Sequence, residues 1–304
     1  NRATKLPGAR TALEKTAGIA ADRTLPTFRR ESLVEWFESR GPRVDPEAAT
    51  AGVVLFPDTD TNYSHPALGK AAVEVLEAAN IRVAIPDLGP TGRAAYSTGM
   101  LEAAAERGEA LLEDLEPYLE RGWSVLFVEP SDAAMVVDEY RSLLADDRVD
   151  ALAANAFGVC EYLDRNRLDE ELSFDRTETE AAQLTFHGHC HQKARGADHH
   201  AVGVLRRAGY AVDPVDSGCC GMAGSFGYEA EHYDLSKAIG SLLRDRLEER
   251  RTRGFEPDRA ETGERDGTTV VAPGTSCRTQ IGDFEGYDRP VHPVELLARG
   301  LETE

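Results

Sequence analysis

The sequence contains no long hydrophobic run and little lysine. No stretch of about 18 apolar residues occurs, so no transmembrane segment is predicted. The first residues form no apolar stretch of the signal-peptide type, which predicts a cytoplasmic chain that reaches the inner face of the membrane only through partners. Because the chain starts at Asn1 rather than Met, we expect a fragment or a processed form of a longer protein. Its 304 residues suffice for two domains that each bury a core.

Positive charge is also scarce. The chain has 54 acidic and 34 basic residues, a formal net charge of −20, and only five of the basic residues are lysines. Such a surface repels the phosphates of nucleic acids and anionic lipid headgroups, so neither is expected as a partner. The acidic residues are spread along the chain rather than gathered in blocks. We therefore interpret them as the solubilising surface of a halophilic protein from a high-salt cytoplasm.

Several common cofactor motifs are absent. The sequence has no C-x₂-C-x₂-C-x₃-C-P ferredoxin run and no glycine-rich flavin fingerprint. It also lacks the paired C-x₂-C knuckles that are typical of zinc sites. The sequence therefore offers no site of these common types for a ferredoxin cluster or a flavin.

Five cysteines are present, and four of them lie between residues 190 and 277. An odd number argues against an extracellular disulfide framework and favours an intracellular metal or redox role. Cys160 is set apart from the others, in the apolar segment 156–160. We predict that it is a buried packing thiol.

The cysteines lie in a segment that the chain carries twice. Shifting residues 201–221 back by 129 positions aligns them with residues 72–92. Identical residues then coincide at Ala201, Val202, Val204, Leu205, Ala208, Val212, Gly218 and Gly221. The first copy has lost the thiols: Cys219 and Cys220 align with Pro90 and Thr91, Cys277 aligns with Asp132, and Cys190 falls near Thr61. Thiols kept in one copy only indicate a single metal or redox site.

Short apolar runs alternate with helical periodicity in both copies. Strands are predicted at Val53–Phe56, Ile81–Ile85, Val125–Val128, Leu184–Phe186, Tyr210–Val215 and Thr269–Ala272. Helices are predicted at Leu68–Ala79, at about 98–120, at Ala201–Ala208 and at Tyr233–Glu249. This alternation is typical of parallel sheets covered by helices. The predicted fold is α/β, with two tandemly duplicated Rossmann-like halves.

We divide the chain into four parts. Residues 1–50 form an N-terminal helical arm, and residues 51–162 form the degenerate first repeat. Residues 163–182 are a linker, and residues 183–304 form the second repeat with its cysteines. Within the second repeat, the charged and glycine-punctuated segment 251–267 is predicted to be a surface loop.

The four clustered cysteines each follow a predicted strand of the second repeat. Because loops at the carboxyl ends of parallel strands meet at one edge of a sheet, Cys190, Cys219, Cys220 and Cys277 are predicted to converge. Gly218, Gly221 and Gly224 would let the backbone approach a bulky cofactor and adopt positive φ. Adjacent cysteines have diverging side chains, which suits a wide iron–sulfur cluster better than one zinc ion. Both metals stay open at this point.

Histidines and carboxylates near the strand ends are further candidates. His187, His189 and His191 alternate around Cys190, and in a continued strand they would share one face and could ligate or hydrogen-bond a cluster. His199 and His200 begin a helix and are predicted to lie on the surface. In the degenerate half, turn and cap roles are expected for Asp58, Asp60, Asn62 and Asp132.

The motifs resemble those of the cysteine-rich CCG domain family. The phrases that carry the resemblance are Phe186-His187-Gly188-His189-Cys190-His191-Gln192-Lys193, the segment 218–227 beginning Gly218-Cys219-Cys220-Gly221, Glu129-Pro130-Ser131 and His292-Pro293-Val294-Glu295-Leu296-Leu297. They look most like the C-terminal iron–sulfur region of FAD-linked D-lactate and D-2-hydroxyglutarate dehydrogenases. Related regions occur in the iron–sulfur subunits of glycolate oxidase and anaerobic glycerol-3-phosphate dehydrogenase, and in the CCG-bearing subunit of heterodisulfide reductase. The resemblance covers about residues 1–300.

The sequence departs from the family pattern at three positions. The family motif ends in C-x-x-C, but here Gly274 stands at the first of those cysteines. Thr91 and Asp132 stand where the first repeat often has cysteines. The resemblance therefore implies a four-cysteine site of the [4Fe–4S] type in the second half, rather than the five-cysteine cluster of heterodisulfide reductase.

The resemblance also implies a function. The chain would be the electron-transfer module of an FAD-linked D-2-hydroxyacid dehydrogenase, with FAD and ferredoxin-type clusters on a partner subunit or an upstream domain. Electrons would pass onward, ultimately to the membrane quinone pool. Two alternatives remain open: a thiol or heterodisulfide-type reductase that uses Cys219 and Cys220, and a structural domain held together by zinc.

Overall fold

The structure is a computed structural model that describes residues 8–180, 182–253 and 269–302. The α-helices are α1 (Ala9–Ala17), α2 (Leu33–Arg40), α3 (Pro66–Ala78), α4 (Arg93–Ser97), α5 (Leu101–Leu119), α6 (Pro130–Ala134), α7 (Tyr140–Leu143), α8 (Arg148–Ala154), α9 (Val159–Arg165), α10 (Arg176–Thr179), α11 (Cys190–Ala194), α12 (His199–Arg207), α13 (Tyr233–Arg253), α14 (Thr275–Gly282) and α15 (Pro293–Gly300). The strands are β1 (Ala51–Leu55), β2 (Ile81–Ala84), β3 (Ser124–Phe127), β4 (Ala156–Gly158), β5 (Gln183–Phe186), β6 (Ala211–Pro214) and β7 (Thr269–Val271).

The strands form two parallel sheets. The first has the order β2-β1-β3-β4 and the second the order β6-β5-β7. An isolated parallel bridge between Val271 and Val291 places residue 291 next to β7 in the second sheet. This position corresponds to that of β4, which lies next to β3 in the first sheet. The predicted α/β fold with parallel sheets is confirmed.

The sequence repeat reappears in the register of the strands. Val83 and Val212, which the 129-residue shift aligns, occupy the same place in the two sheets. Val83 pairs with Val53 of β1, and Val212 pairs with Leu184 of β5. All four side chains are buried, so the repeat preserves the apolar interior of each sheet.

The two sheets share one hydrophobic core through exchanged helices. α15, which follows the bridge at Val291, packs against α3 of the first sheet. Reciprocally, α9 follows β4 of the first sheet and packs against α12 of the second. Leu76, Leu163, Leu205 and Leu297 of these four helices are fully buried in one continuous cluster. Neither sheet therefore buries its apolar surface alone.

The N-terminal segment contacts both sheets. α2 begins with a capping box between Ser32 and Glu35. The backbone N–H of Val34 donates to Oδ1 of Asn62, a residue that follows β1, at 3.1 Å. Arg23 is 1% exposed and reaches the cysteine-bearing half instead. Its guanidinium donates to the Gly227 carbonyl at 2.6 Å, to Ser236 Oγ at 2.7 Å and to Asp283 Oδ2 at 3.1 Å.

Some predicted elements differ from the observed ones. β4 was missed, because its three residues carry too short an apolar signal. α13 extends to Arg253, so residues 251–253 of the predicted surface loop are helical and residues 254–267 lie outside the described part of the chain. The surface placement of His200 is wrong: it is 9% exposed and its Nδ1 lies 2.5 Å from Asp164 Oδ2. Within the described residues, none of the helices is long and apolar enough to cross a bilayer.

Candidate functional site

The four clustered cysteines lie just beyond the carboxyl ends of the second sheet. Cys190 opens α11 after β5, and Cys219 and Cys220 lie in the loop after β6. Cys277 lies in the first turn of α14, after β7. The loops converge as parallel strands allow, although residues 190 and 277 are far apart in sequence.

The thiols contact one another in a row. Each thiol interacts with its neighbour in the order Cys190, Cys219, Cys220 and Cys277, and these interactions shift the pKa values of all four. All four are free thiols. Cys190 and Cys219 are exposed, whereas Cys220 and Cys277 are 4% and 1% exposed. The row therefore runs from the protein surface into the interior.

Mutual hydrogen bonding separates the acidities of these thiols. Hydrogen bonds from Cys190 and Cys220 lower the pKa of Cys219. The pKa of Cys277 is lowered by its hydrogen bond from Cys220 and by the charge and hydrogen bond of His187. The pKa values of Cys190 and Cys220 are raised, because each donates to a neighbouring thiolate and is partly or fully buried. The lowered pKa values favour the thiolate form at Cys219 and Cys277, and thiolates are what metal ions bind.

A backbone N–H group points at one of the sulfur atoms. The N–H of Gly221 donates to Cys219 Sγ at 3.3 Å. The backbone at His191 and at Met222 acts to lower the pKa of Cys190 and of Cys220, although larger effects raise both pKa values. Such bonds stabilise the thiolate form and tune the reduction potential of a bound cluster.

Gly221 has a steric reason to be glycine. Its φ is +87°, and a Cβ at this position would lie 2.3 Å from the Ser236 carbonyl oxygen. Gly224 also has a positive φ, +64°, but its surroundings are open. Gly218 has no positive φ and no neighbour within 4 Å of the place a Cβ would take, so neither backbone conformation nor packing requires glycine there. Its role in binding a cofactor stays a prediction.

The three histidines around Cys190 do not continue a strand, so the prediction that they share a strand face is wrong. His189 is the N-cap of α11, and its Nδ1 accepts from the N–H of His191 at 3.3 Å. His191 lies in the first turn of the same helix, with its ring stacked on that of His189 at 5.3 Å. His187 is fully buried, bonds Ser217 Oγ through Nδ1 at 2.8 Å and hydrogen-bonds Cys277. It therefore contacts the thiols directly.

The side chain of His189 occupies the space of the absent fifth cysteine. A Cβ on Gly274 would lie 2.2 Å from His189 Cδ2 and 3.0 Å from Nε2. Gly274 is the position at which the C-x-x-C motif of the resembling family has its first cysteine. The buried imidazole therefore fills the space that a side chain at position 274 would take, which the sequence alone does not reveal.

The first sheet supplies carboxylates that hold the cysteine-bearing helix α14. Glu129, at the end of β3, accepts the N–H of Thr275 at 2.8 Å. Asp60 accepts Thr275 Oγ1 at 2.9 Å and the guanidinium of Arg278 at 3.2 Å. Burial raises the pKa of Asp60, but hydrogen bonding from His65 and the charge of Arg278 outweigh it and lower the pKa to about 2. Both carboxylates are therefore positioning groups for Cys277.

The degenerate site of the first sheet is buried and acidic. Asp58 is 4% exposed and accepts the N–H of Thr61 at 2.9 Å, which agrees with a turn role. Thr91 donates to Asp132, so two residues that align with cysteines now bond each other. Burial and the charge of Asp132 raise the pKa of Asp58 to about 8. Burial also raises the pKa of Asp132, to about 6.

The spacing of the thiols helps to distinguish a zinc site from an iron–sulfur site. No three of these four thiols lie all within 4.8 Å of one another in the described structure. A tetrahedral zinc ion with Zn–S bonds of about 2.3 Å needs sulfurs roughly 3.8 Å apart. The observed row is too extended for that arrangement and is compatible with a group several ångströms wide.

Cys160 stands apart from the row. It is 8% exposed and packs in the shared core, which confirms the predicted packing role. Burial raises its pKa to about 12, so it stays protonated.

The fold and site define a duplicated parallel α/β scaffold that gathers thiols at one sheet edge. Comparison with models of protein families found no match. The chain is 26% identical over 304 residues to a subunit of anaerobic glycerol-3-phosphate dehydrogenase from Escherichia coli K12, covering 99% of this chain and 72% of that protein. It is 25% identical over 250 residues to D-2-hydroxyglutarate dehydrogenase of the same strain, covering 81% of this chain and 22% of that enzyme.

A second D-2-hydroxyglutarate dehydrogenase, from Haemophilus influenzae, is 24% identical over 316 residues, covering 99% of this chain and 29% of that enzyme. The chain thus matches most of the length of one dehydrogenase subunit, but only a minor part of two larger dehydrogenases. These similarities agree with the interpretation that the chain is a region of an oxidoreductase.

Proposed function

We propose that the chain is the electron-transfer part of an FAD-linked dehydrogenase of D-2-hydroxyacids such as D-lactate, glycolate or 2-hydroxyglutarate. In this proposal Cys190, Cys219, Cys220 and Cys277 hold an iron–sulfur cluster of the [4Fe–4S] type. The observation that carries it is the row of four mutually bonded thiols at the strand ends of the second sheet. Similarity to a dehydrogenase subunit and to two dehydrogenases supports the same class.

The donor set fits the proposed group. Four thiols, with a backbone N–H that donates to the sulfur of Cys219, are the ligand chemistry of iron–sulfur proteins. A bound cluster would supply one-electron transfer. The chain's own contribution is to keep Cys277 and Cys220 buried, to hydrogen-bond Cys277 through His187, and to leave Cys190 and Cys219 at the surface. The exposed pair marks the side at which a redox partner would exchange electrons.

The other two candidates are less well supported. A zinc site would need a more compact arrangement of sulfurs than the observed row. A thiol reductase would use a vicinal disulfide between Cys219 and Cys220, whereas the row extends over four thiols and ends on the buried Cys277. We keep both as outcomes of the experiment.

The partners follow from the same proposal. We propose that a flavin-binding and ferredoxin-type domain or subunit delivers electrons to this chain. Electrons then leave towards the membrane quinone pool through further partners. Oxidation of the hydroxyacid takes place on the flavin-bearing part, so the chain is expected to lack dehydrogenase activity by itself.

The test is the iron and acid-labile sulfide content of anaerobically purified protein. We expect about four of each per chain and a broad absorbance near 400 nm, as a [4Fe–4S] cluster gives. Cys219→Ser removes one thiolate from the row and should lose most of the iron. Cys160→Ser is the matched control, because that thiol is buried away from the site, and it should retain the iron.

Three outcomes would contradict the proposal. One zinc per chain, lost on chelation together with stability, would indicate the structural alternative. No metal, with a disulfide between Cys219 and Cys220 that forms and is reduced reversibly, would indicate the thiol reductase. Equal iron loss in the Cys160 and Cys219 variants would show that the iron is not held by the row.

A further inference from the structure

A cavity of about 450 Å³, which none of the four clustered cysteines lines, lies between the start of α3 and the segment that leads into α15. Its lining is rich in positive charge, from Arg29, Lys70, Arg278, Arg289 and Arg299. Only two carboxylates, Glu31 and Glu295, line it with them. In a chain of net charge −20 with 34 basic residues, this concentration of cations is opposite to the surface as a whole.

The lining carboxylates neutralise only part of this charge. Glu31 pairs with Lys70 at 2.9 Å, and Glu295 lies 3.8 Å from Arg299. Glu295 also accepts the N–H of His292 at the start of α15, so one of its oxygens is already engaged. Among the described residues Arg29 has no carboxylate partner; its Nε reaches the Ser64 carbonyl oxygen at 3.4 Å.

The remaining two arginines share one carboxylate behind the cavity wall. Asp60 lies 3.2 Å from Arg278 and 3.9 Å from Arg289, and it also bonds His65 at 2.8 Å. The Arg278 side chain is only 3% exposed, yet its Nε has no hydrogen-bond partner. A buried guanidinium N–H without an acceptor is costly, which indicates a missing acceptor at this wall.

Burial and the charge of Arg278 also lower the pKa of Arg289, and the opposing charges of Asp60 and Glu295 do not offset them. Apart from His65, the rest of the wall is apolar and includes Pro66, Leu68, Pro290 and Val291. An occupant that satisfies both features carries several negative charges on a short carbon skeleton.

We propose that this cavity binds a small organic anion with two or more negative charges, held by Arg29, Arg278 and Arg289. Guanidinium groups bind carboxylate and phosphate oxygens in paired hydrogen bonds, and several can do so at once. A cavity of this volume accommodates a small metabolite. The cavity shares α14 with the cysteine row, because Arg278 directly follows Cys277, but none of the four clustered cysteines lines it.

The test is isothermal titration calorimetry on the full chain, at constant ionic strength set with chloride. The probes are citrate, succinate, inorganic phosphate and acetate. We expect saturable binding of at least one of the multiply charged probes, with acetate at least about tenfold weaker than succinate or citrate. Arg289→Gln and Arg29→Gln should each weaken binding by about tenfold or more, because each removes a charge-assisted contact.

Arg141→Gln is the matched control, because that exposed arginine pairs with Asp150 outside the cavity, and it should bind as the unaltered chain does. The proposal is overturned if no probe binds, if acetate binds as tightly as citrate, or if the Arg289 variant binds like the control. Binding of a glutamate-rich peptide without binding of any small anion would also overturn it and would assign the cavity to a protein partner. The comparison of probes on the unaltered chain decides the matter even if a variant fails to fold.

Discussion

Replacing Gly274 by alanine should drive the His189 ring from its place. Gly274 has φ −84° and ψ 138°, which alanine adopts without strain, so the effect is one of contact rather than of backbone conformation. The added methyl group would lie 2.2 Å from His189 Cδ2. Because both residues are buried, the ring has to move, and overpacking of this kind costs about 1–3 kcal/mol.

Movement of the ring also breaks the N-cap of α11. His189 Nδ1 accepts from His191, and loss of a cap costs about 1 kcal/mol. We therefore expect Gly274→Ala to lower the free energy of unfolding by about 2–4 kcal/mol. Gly218→Ala is the matched control within the same site, because it meets no neighbour within 4 Å, and it should change stability by less than about 0.5 kcal/mol.

The assay is equilibrium urea unfolding of the reduced protein in a double-mutant cycle with His189→Ala. Once the imidazole is absent, the methyl group at 274 has room, and the cost of Gly274→Ala should fall by at least about 1 kcal/mol. A coupling energy below about 0.5 kcal/mol would refute the reasoning that this ring fills the place of the absent cysteine. Residue 274 is also the N-cap of α14, where alanine is less favourable than glycine. This effect is the same with and without the imidazole, so it cancels in the coupling energy.

Two further predictions concern the packing of the N-terminal segment and the buried carboxylates. Arg23→Leu should lower the free energy of unfolding by about 3 kcal/mol, because it leaves Asp283 unpaired. Arg246→Leu, at an exposed arginine, is the control and should change the free energy of unfolding by less than about 0.5 kcal/mol. Urea unfolding measures both variants. The pKa of Asp58 is about 8 in the folded state and about 3.9 in the unfolded state. Between these pH values the folded state therefore binds more protons than the unfolded state, so the free energy of unfolding falls as the pH rises. Asp58→Asn should therefore gain stability relative to the unaltered chain at pH 8 and show little gain at pH 4; a gain that is the same at both pH values would contradict the assignment.

The strands of both sheets were predictable because each is a short buried apolar run. β1, β2, β3, β5, β6 and β7 all lie within about two residues of the predicted ranges. Asn80, just after α3, has φ 57°, a left-handed conformation that asparagine tolerates. β4 was not predictable, because a three-residue edge strand becomes a strand only through its pairing with β3.

The cysteine row could be predicted from strand ends, but its surroundings could not. Cys190 and Cys277 follow predicted strands, and parallel topology brings such positions together. The contact between Gly274 and His189 joins segments that are 85 positions apart, and no local pattern announces it. The same is true of Glu129, which looks like an ordinary loop residue until its bond to Thr275 is seen.

The exchange of helices between the sheets has a consequence for how this chain can have evolved. α15 packs on the first sheet and α9 on the second, so deletion of either repeat would strip the other of part of its apolar cover. Mutation can therefore erase the chemistry of one copy but not the copy itself. A duplicated gene with such reciprocal packing is free to specialise one half as a scaffold. The first repeat has that character, because it lacks the four clustered thiols and still holds α14 through Glu129 and Asp60.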